Sequence, residues 1–207
     1  MPAQIPCSAV LVETWTPRTG CGKRGAGRHR PRAPQRNDPM GKFTLTHEIN
    51  CNLETFWKLF LDKTFNEELY RKELGFPEFT ITEQVETATE IIRRSAGKPK
   101  MNLPGPVEKL LGSGFRYTEE GRLNKATNVW TFKLTPSTLA DKMRNEGVVR
   151  AEAIGDNKVR RIAEITIEAK VFGVGGMLES SAEKELRQGW ELSAVFMNKW
   201  IAQGKTA

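Results

Sequence analysis

Residues 177–203 read MLESSAEKELRQGWELSAVFMNKWIAQ, and this stretch decides the fold. Leu178, Ala182, Leu186, Trp190, Ala194, Met197 and Ile201 recur at helical spacing, so they share one stripe of an α-helix. Leu192, Phe196 and Trp200 widen that stripe, while Glu179, Glu183, Lys184 and Arg187 fall largely off it. At 1.5 Å per residue the helix is about 40 Å long. An apolar face this broad is suited to covering the concave side of a sheet.

The preceding residues supply the strands. Phe43, Leu45, His47 and Ile49 alternate with Thr44, Thr46, Glu48 and Asn50, which predicts a half-buried strand. Asn52 can cap a helix beginning at Leu53, and a second helical run covers Asn66–Leu74, with Gly75 suited to end it. Strands resume near Glu78, where Phe79, Ile81 and Val85 share a face with Glu83 between them. Thr89–Ser95 reads as the next strand, broken by Ala96-Gly97-Lys98-Pro99. Phe115–Leu123 pairs with Thr127–Thr135, and Gly147–Ile154 pairs with Lys158–Phe172 across the turn Gly155-Asp156-Asn157. The expected architecture is α+β, a bent antiparallel sheet of about seven strands gripping the long C-terminal helix.

Composition divides the chain. The net charge is +7, but residues 1–39 hold seven basic and two acidic side chains, leaving 25 basic and 23 acidic in the rest. The body from Met40 therefore lacks the focused basic footprint that a nucleic acid requires. Residues 1–39 also hold six prolines and four glycines without apolar periodicity, which predicts a disordered tail ahead of a domain at 40–207. A transit peptide and a nucleic-acid arm compete with a dispensable extension upstream of Met40. Cys51 is the one cysteine of the body and reads as a small buried hydrophobe. No spacing suits zinc, no cofactor motif is complete, and no apolar run approaches the roughly 20 residues of a membrane span. The expectation is a cytoplasmic protein capable of transient membrane contact, with its oligomeric state left open.

Three tracts carry a resemblance: Lys42–Asn50, Trp130-Thr-Phe-Lys-Leu-Thr-Pro136, and Val171-Phe-Gly-Val-Gly-Gly-Met-Leu-Glu179. Over residues 41–203 the chain resembles the START-like (SRPBCC) helix-grip superfamily of lipid-transfer domains, polyketide cyclases and birch-pollen-allergen-type proteins. Within it the chain is most similar to a bacterial branch with no assigned activity. The resemblance implies a fold and a cavity but transfers no catalytic residue.

Strand parity and the helix stripe turn a set of side chains inward, where the aromatics and methionines suit either a filled core or a pliable pocket, and the resemblance implies the pocket. The candidates to line it are His47, Phe79, Tyr117, Trp130 and Phe132 on strands, Arg161 on the last strand, and Met177, Trp190 and Met197 on the closing helix. His47 reads as either a ligand contact or a hydrogen-bonded core residue. Tyr117, Glu83 and Arg161 share parity with apolar neighbours and read as polar points in a pocket or as rim residues. Gly173-Val-Gly-Gly176 invites a phosphate-loop reading but fits a tight strand-to-helix corner better. Lys98–Leu111, apolar yet irregular, reads either as a lid that covers the cavity together with the first two helices and pivots at Gly105, or as a longer connection packed permanently on the core. No nucleophile–base or paired-carboxylate set emerges from spacing. The leading expectation is a non-enzymatic binder or carrier of a lipid, polyketide-like or aromatic molecule. A cyclase- or hydrolase-type enzyme and an interaction module with a collapsed cavity are the alternatives.

Overall fold

The computed structural model describes residues 41–205, so the tail expected to be disordered lies outside the described residues. Seven strands form one antiparallel sheet: β1 (Lys42–Ile49), β2 (Glu78–Glu86), β3 (Glu90–Lys98), β4 (Tyr117–Asn124), β5 (Val129–Pro136), β6 (Met143–Gly155) and β7 (Lys158–Ala169). Their order is β1-β7-β6-β5-β4-β3-β2. Strands β2 to β7 each lie beside their chain neighbours, and β1 crosses over to pair with the last of them. The crossover carries α1 (Leu53–Leu61) and α2 (Lys63–Glu68), which runs on into a π-helical turn at Leu69–Glu73. Helix α3 (Gly105–Leu111) links β3 to β4, and α4 (Gly175–Ala202) closes the fold. This is the helix-grip arrangement expected from the element order.

Local chemistry sets the joints. Asn52 Oδ1 accepts from the Thr55 amide at 2.8 Å and starts α1. Asp62 Oδ1 accepts from the Phe65 amide at 2.6 Å, so the second helical run begins at Lys63, ahead of the expected Asn66. Gly173 takes φ +77 between β7 and α4, and a Cβ on Gly175 would sit 2.3 Å from the Ala169 carbonyl oxygen. The Glu179 carboxylate accepts from the Ala169 amide at 2.8 Å. This glycine tract is therefore a packed corner, and its first acidic side chain ties helix to strand.

Helix α4 packs on β7 and β1. Asn198 stitches its far end to the sheet, donating to the Glu48 carbonyl at 3.0 Å and accepting from the Asn50 amide at 2.8 Å. Ile49, Phe56, Leu59, Val149, Val159 and Ala163 lie wholly inside the main core. Curvature at the middle strands depends on close approach. Gly121 leaves room for Trp130, whose indole lies 1.8 Å from where a Cβ would stand, and Gly147 leaves room for Phe132. Tyr117 covers Gly97 in the same way. That contact explains why β3 runs on to Lys98 instead of breaking at Ala96-Gly97.

Candidate ligand-binding site

A cavity of about 350 Å³ lies between the inner face of the sheet and α4. Phe132 and Leu134 of β5 line it, as do Leu178, Leu186 and Met197 of the helix stripe. The segment between β3 and α3 contributes Pro99, Lys100, Met101 and Leu103, and α3 contributes Val107 and Leu111. Val107 and Leu111 are buried against Ala169 and Leu178, so the segment read as a lid or a fixed connection is anchored at its helical end. Gly105 opens α3 without a positive φ. A positive φ of +78 lies at Gly112, just after α3.

Arg161 forms part of the cavity wall and is 2 % exposed. Register places it directly opposite His47 on β1. Its guanidinium donates to Ser193 Oγ at 2.9 Å and to the Trp190 carbonyl at 2.8 Å, and it lies 4.7 Å from the Trp190 ring centre. It also approaches His47 Nδ1 at 3.2 Å. A guanidinium only donates, so Nδ1 accepts and the imidazole proton sits on Nε2, which faces the Glu191 carboxylate at 3.3 Å. Burial first, and then the neighbouring Arg161 charge, hold His47 below its ordinary value. Burial pushes Arg161 down to about 9, which still leaves it a cation at neutral pH. Its Nε–H has no hydrogen-bond partner.

A second polar group lies on β3 and β4. Arg93 is 7 % exposed, donates to the Phe60 carbonyl at 2.8 Å and lies 4.9 Å from the Trp130 ring centre. Glu119 stands 4.0 Å from it. Burial raises the Glu119 carboxyl, with Arg93 opposing the shift. Tyr70 and Tyr117 are neighbours of this pair, and burial holds both phenols above their ordinary range, so both stay protonated donors.

Of the residues expected from sequence, Tyr117, Trp130, Phe132, Arg161, Trp190 and Met197 line the cavity. Three do not. His47 stands behind Arg161 and touches it. Phe79 is buried behind the cavity wall, stacked on Tyr70 with ring centres 3.8 Å apart. Met177 is 42 % exposed, because the inward stripe starts one residue later at Leu178. Glu83 also points outward and pairs with Arg94, because a β-bulge between Ile81 and Glu83 reverses the parity of β2. Cys51 is buried, and burial pushes its thiol up to about 11, which leaves it unreactive. Arg93, Glu119 and Tyr70 were not singled out by sequence reasoning. The signal was available for the first two. Glu119 shares parity with Tyr117 and Leu123, and Arg93 with Ile91 and Ser95. Among the described residues no cluster of three or more His, Cys, Asp or Glu side chains gathers to hold a metal.

A bent antiparallel sheet and a gripped C-terminal helix, with a lined cavity between them, define the helix-grip fold. The chain belongs to the family described as "Protein of unknown function (DUF2505)", whose model matches residues 44–201. A search of the curated proteins gives no match. Among solved structures, the chain is similar to the ZhuI aromatase/cyclase from Streptomyces sp. R1128, at 12 % identity and TM-score 0.55, covering 77 % of this chain and 94 % of that one. It is similar to TTHA0849 from Thermus thermophilus, at 18 % identity and TM-score 0.54, covering 79 % and 98 %. A third is norcoclaurine synthase from Thalictrum flavum, solved with dopamine and hydroxybenzaldehyde, at 9 % identity and TM-score 0.53, covering 80 % and 88 %. At these identities the likeness is one of fold.

Proposed function

We propose that the protein binds or carries an apolar small molecule, of lipid, polyketide-like or aromatic type, in the cavity between the sheet and α4. The cavity itself is the observation that carries this reading. It is of the size that takes a small organic ligand, and its walls are predominantly aromatic and aliphatic, interspersed with polar and charged side chains. A void of this kind also weighs against the collapsed interaction module. The cyclase activity of one relative, and the dopamine and hydroxybenzaldehyde held by another, belong to those proteins and support only the general expectation of a hydrophobic ligand. No helix among the described residues is long and apolar enough to cross a membrane. A single body thiol fits a reducing compartment such as the cytoplasm. Native mass spectrometry of freshly purified protein tests the reading. A retained organic adduct, or uptake of the neutral dye Nile red, is expected. The absence of both adduct and dye uptake would remove the binder hypothesis.

One observation favours an enzyme as the second reading. Glu119, raised by burial, lies near Tyr117, Tyr70 and Arg93 on the cavity wall, where a carboxyl could take or give a proton. Glu119→Gln separates the two readings. A binder keeps its ligand affinity and turns nothing over, with or without the substitution. An enzyme converts the adduct, and loses conversion on substitution while retaining affinity.

A further inference from the structure

We propose that the cavity ligand carries a carboxylate and that Arg161 is its counter-ion. The inference rests on the binder reading above and specifies the head group of the ligand.

A fully buried cation is costly unless an anion or a complete set of acceptors surrounds it. Arg161 is 2 % exposed and its acceptors are all neutral: a serine hydroxyl, a backbone carbonyl and a neutral imidazole. No carboxylate of the described residues lies in salt-bridge contact with it, although Glu191 attracts it from the far side of His47. Glu191 is largely in solvent, with its side chain 68 % exposed. Of the two carboxylates that line the cavity, Glu119 sits beside Arg93, and Glu185 makes no contact with the Arg161 guanidinium. The Nε–H is buried and unpartnered, and the side chain forms part of the cavity wall. The remaining demand is for an anion arriving from the cavity, where a carboxylate oxygen would accept a charge-assisted hydrogen bond from an N–H that Ser193, Trp190 and His47 leave free. The Trp190 ring on one face and Ser193 and His47 at its edge hold the group in place. The apolar walls beyond would take the body of an amphipathic acid, either a medium-length aliphatic chain or a fused aromatic system.

The test is displacement of Nile red by dodecanoic acid and by 1-dodecanol, which share a chain and differ in charge. The acid is expected to bind at least tenfold more tightly than the alcohol. Arg161→Gln is expected to erase that difference, and Arg161→Lys to keep part of it. Equal affinities for acid and alcohol in the unsubstituted protein would overturn the inference while leaving the binder reading intact. A preference for the acid that survives in Arg161→Gln would also overturn it. Failure of the dye, the acid and the alcohol alike to bind would defeat the binder reading instead. Should Arg161→Gln fail to fold, the acid-against-alcohol comparison in the unsubstituted protein decides.

Discussion

The two arginines of the cavity wall solve one problem differently. Each buries an arginine against an indole, Arg93 over Trp130 and Arg161 over Trp190. Between β3 and β4 the Arg93 cation has the Glu119 carboxyl at 4.0 Å, so the protein itself supplies a partner. Between β7 and α4 the Arg161 cation has only neutral acceptors, and its Nε–H is idle. The contrast shows that burial of a charge does not by itself identify a binding site. The informative observation is whether the protein supplies the counter-ion.

The largest expected effect separates the two indoles. Trp130 is 1 % exposed and packs on Gly121 and Phe60 as well as on Arg93. Trp130→Ala should lower stability by about 3–5 kcal/mol in chemical denaturation. Trp190 is only partly buried, so Trp190→Ala should cost less than half as much while weakening dye uptake. Equal losses at both positions would mean that the surroundings of Arg161 are packed core like those of Arg93.

The arginines come next. Arg93→Met removes the partner of Glu119 and the donor to the Phe60 carbonyl, and should cost about 3 kcal/mol at neutral pH. Arg161→Met removes a cation that has no carboxylate in contact, so the relief from no longer burying it offsets the lost donors to Ser193 and Trp190, and the ligand-free stability should fall by less than half the Arg93 loss, about 1 kcal/mol. Similar losses for both substitutions would erase the distinction between an answered and an unanswered charge.

The groups beside the two arginines should also respond to pH with opposite sign. His47 is held below its ordinary value in the folded protein, so its contribution is present above an unfolded pKa of about 6.5. That contribution is lost as pH falls through the lower folded value. Glu119 is raised, so its contribution is present below the ordinary carboxylate range and is lost as pH rises through the folded value. His47→Gln should therefore flatten the acid limb of a melting-temperature profile, and Glu119→Gln the limb above it. If neither substitution alters the profile, these groups do not titrate as their surroundings require.

The smallest effect concerns the segment over the cavity. Amide exchange across Lys98–Leu111 should be slow at Val107–Leu111, which is anchored in the small core, and faster at Lys100–Leu103. Dodecanoic acid should slow exchange in the second stretch only. Uniform protection that ligand leaves unchanged would make the whole segment a fixed wall.

Much of the fold was legible because its signals are local. Alternation in Phe43–Ile49 and in Trp130–Leu134 marks inward faces, and the stripe from Leu178 to Ile201 marks the helix that covers them. Local signals misled where one extra residue reversed a face. The bulge in β2 turned Glu83 outward although it shares spacing with Phe79 and Ile81. The strand through Gly97 looked broken for a related reason. Its glycine is explained only by the Tyr117 ring lying on it, a contact with the neighbouring strand.

By itself the sequence determined the order of elements, the faces of most strands, the covering helix and the near-neutral body, because periodicity and composition act within a few residues. Tertiary structure alone decided which inward polar residues would meet. His47 reaches Arg161 across 114 positions because the α1–α2 crossover returns β1 to the far edge of the sheet, and antiparallel register then sets the two opposite each other. Arg93 gains Glu119 by the pairing of β3 with β4, and Arg161 gains none by the pairing of β7 with β1. Charge compensation inside a protein depends on these long-range registers, which no single stretch of chain encodes.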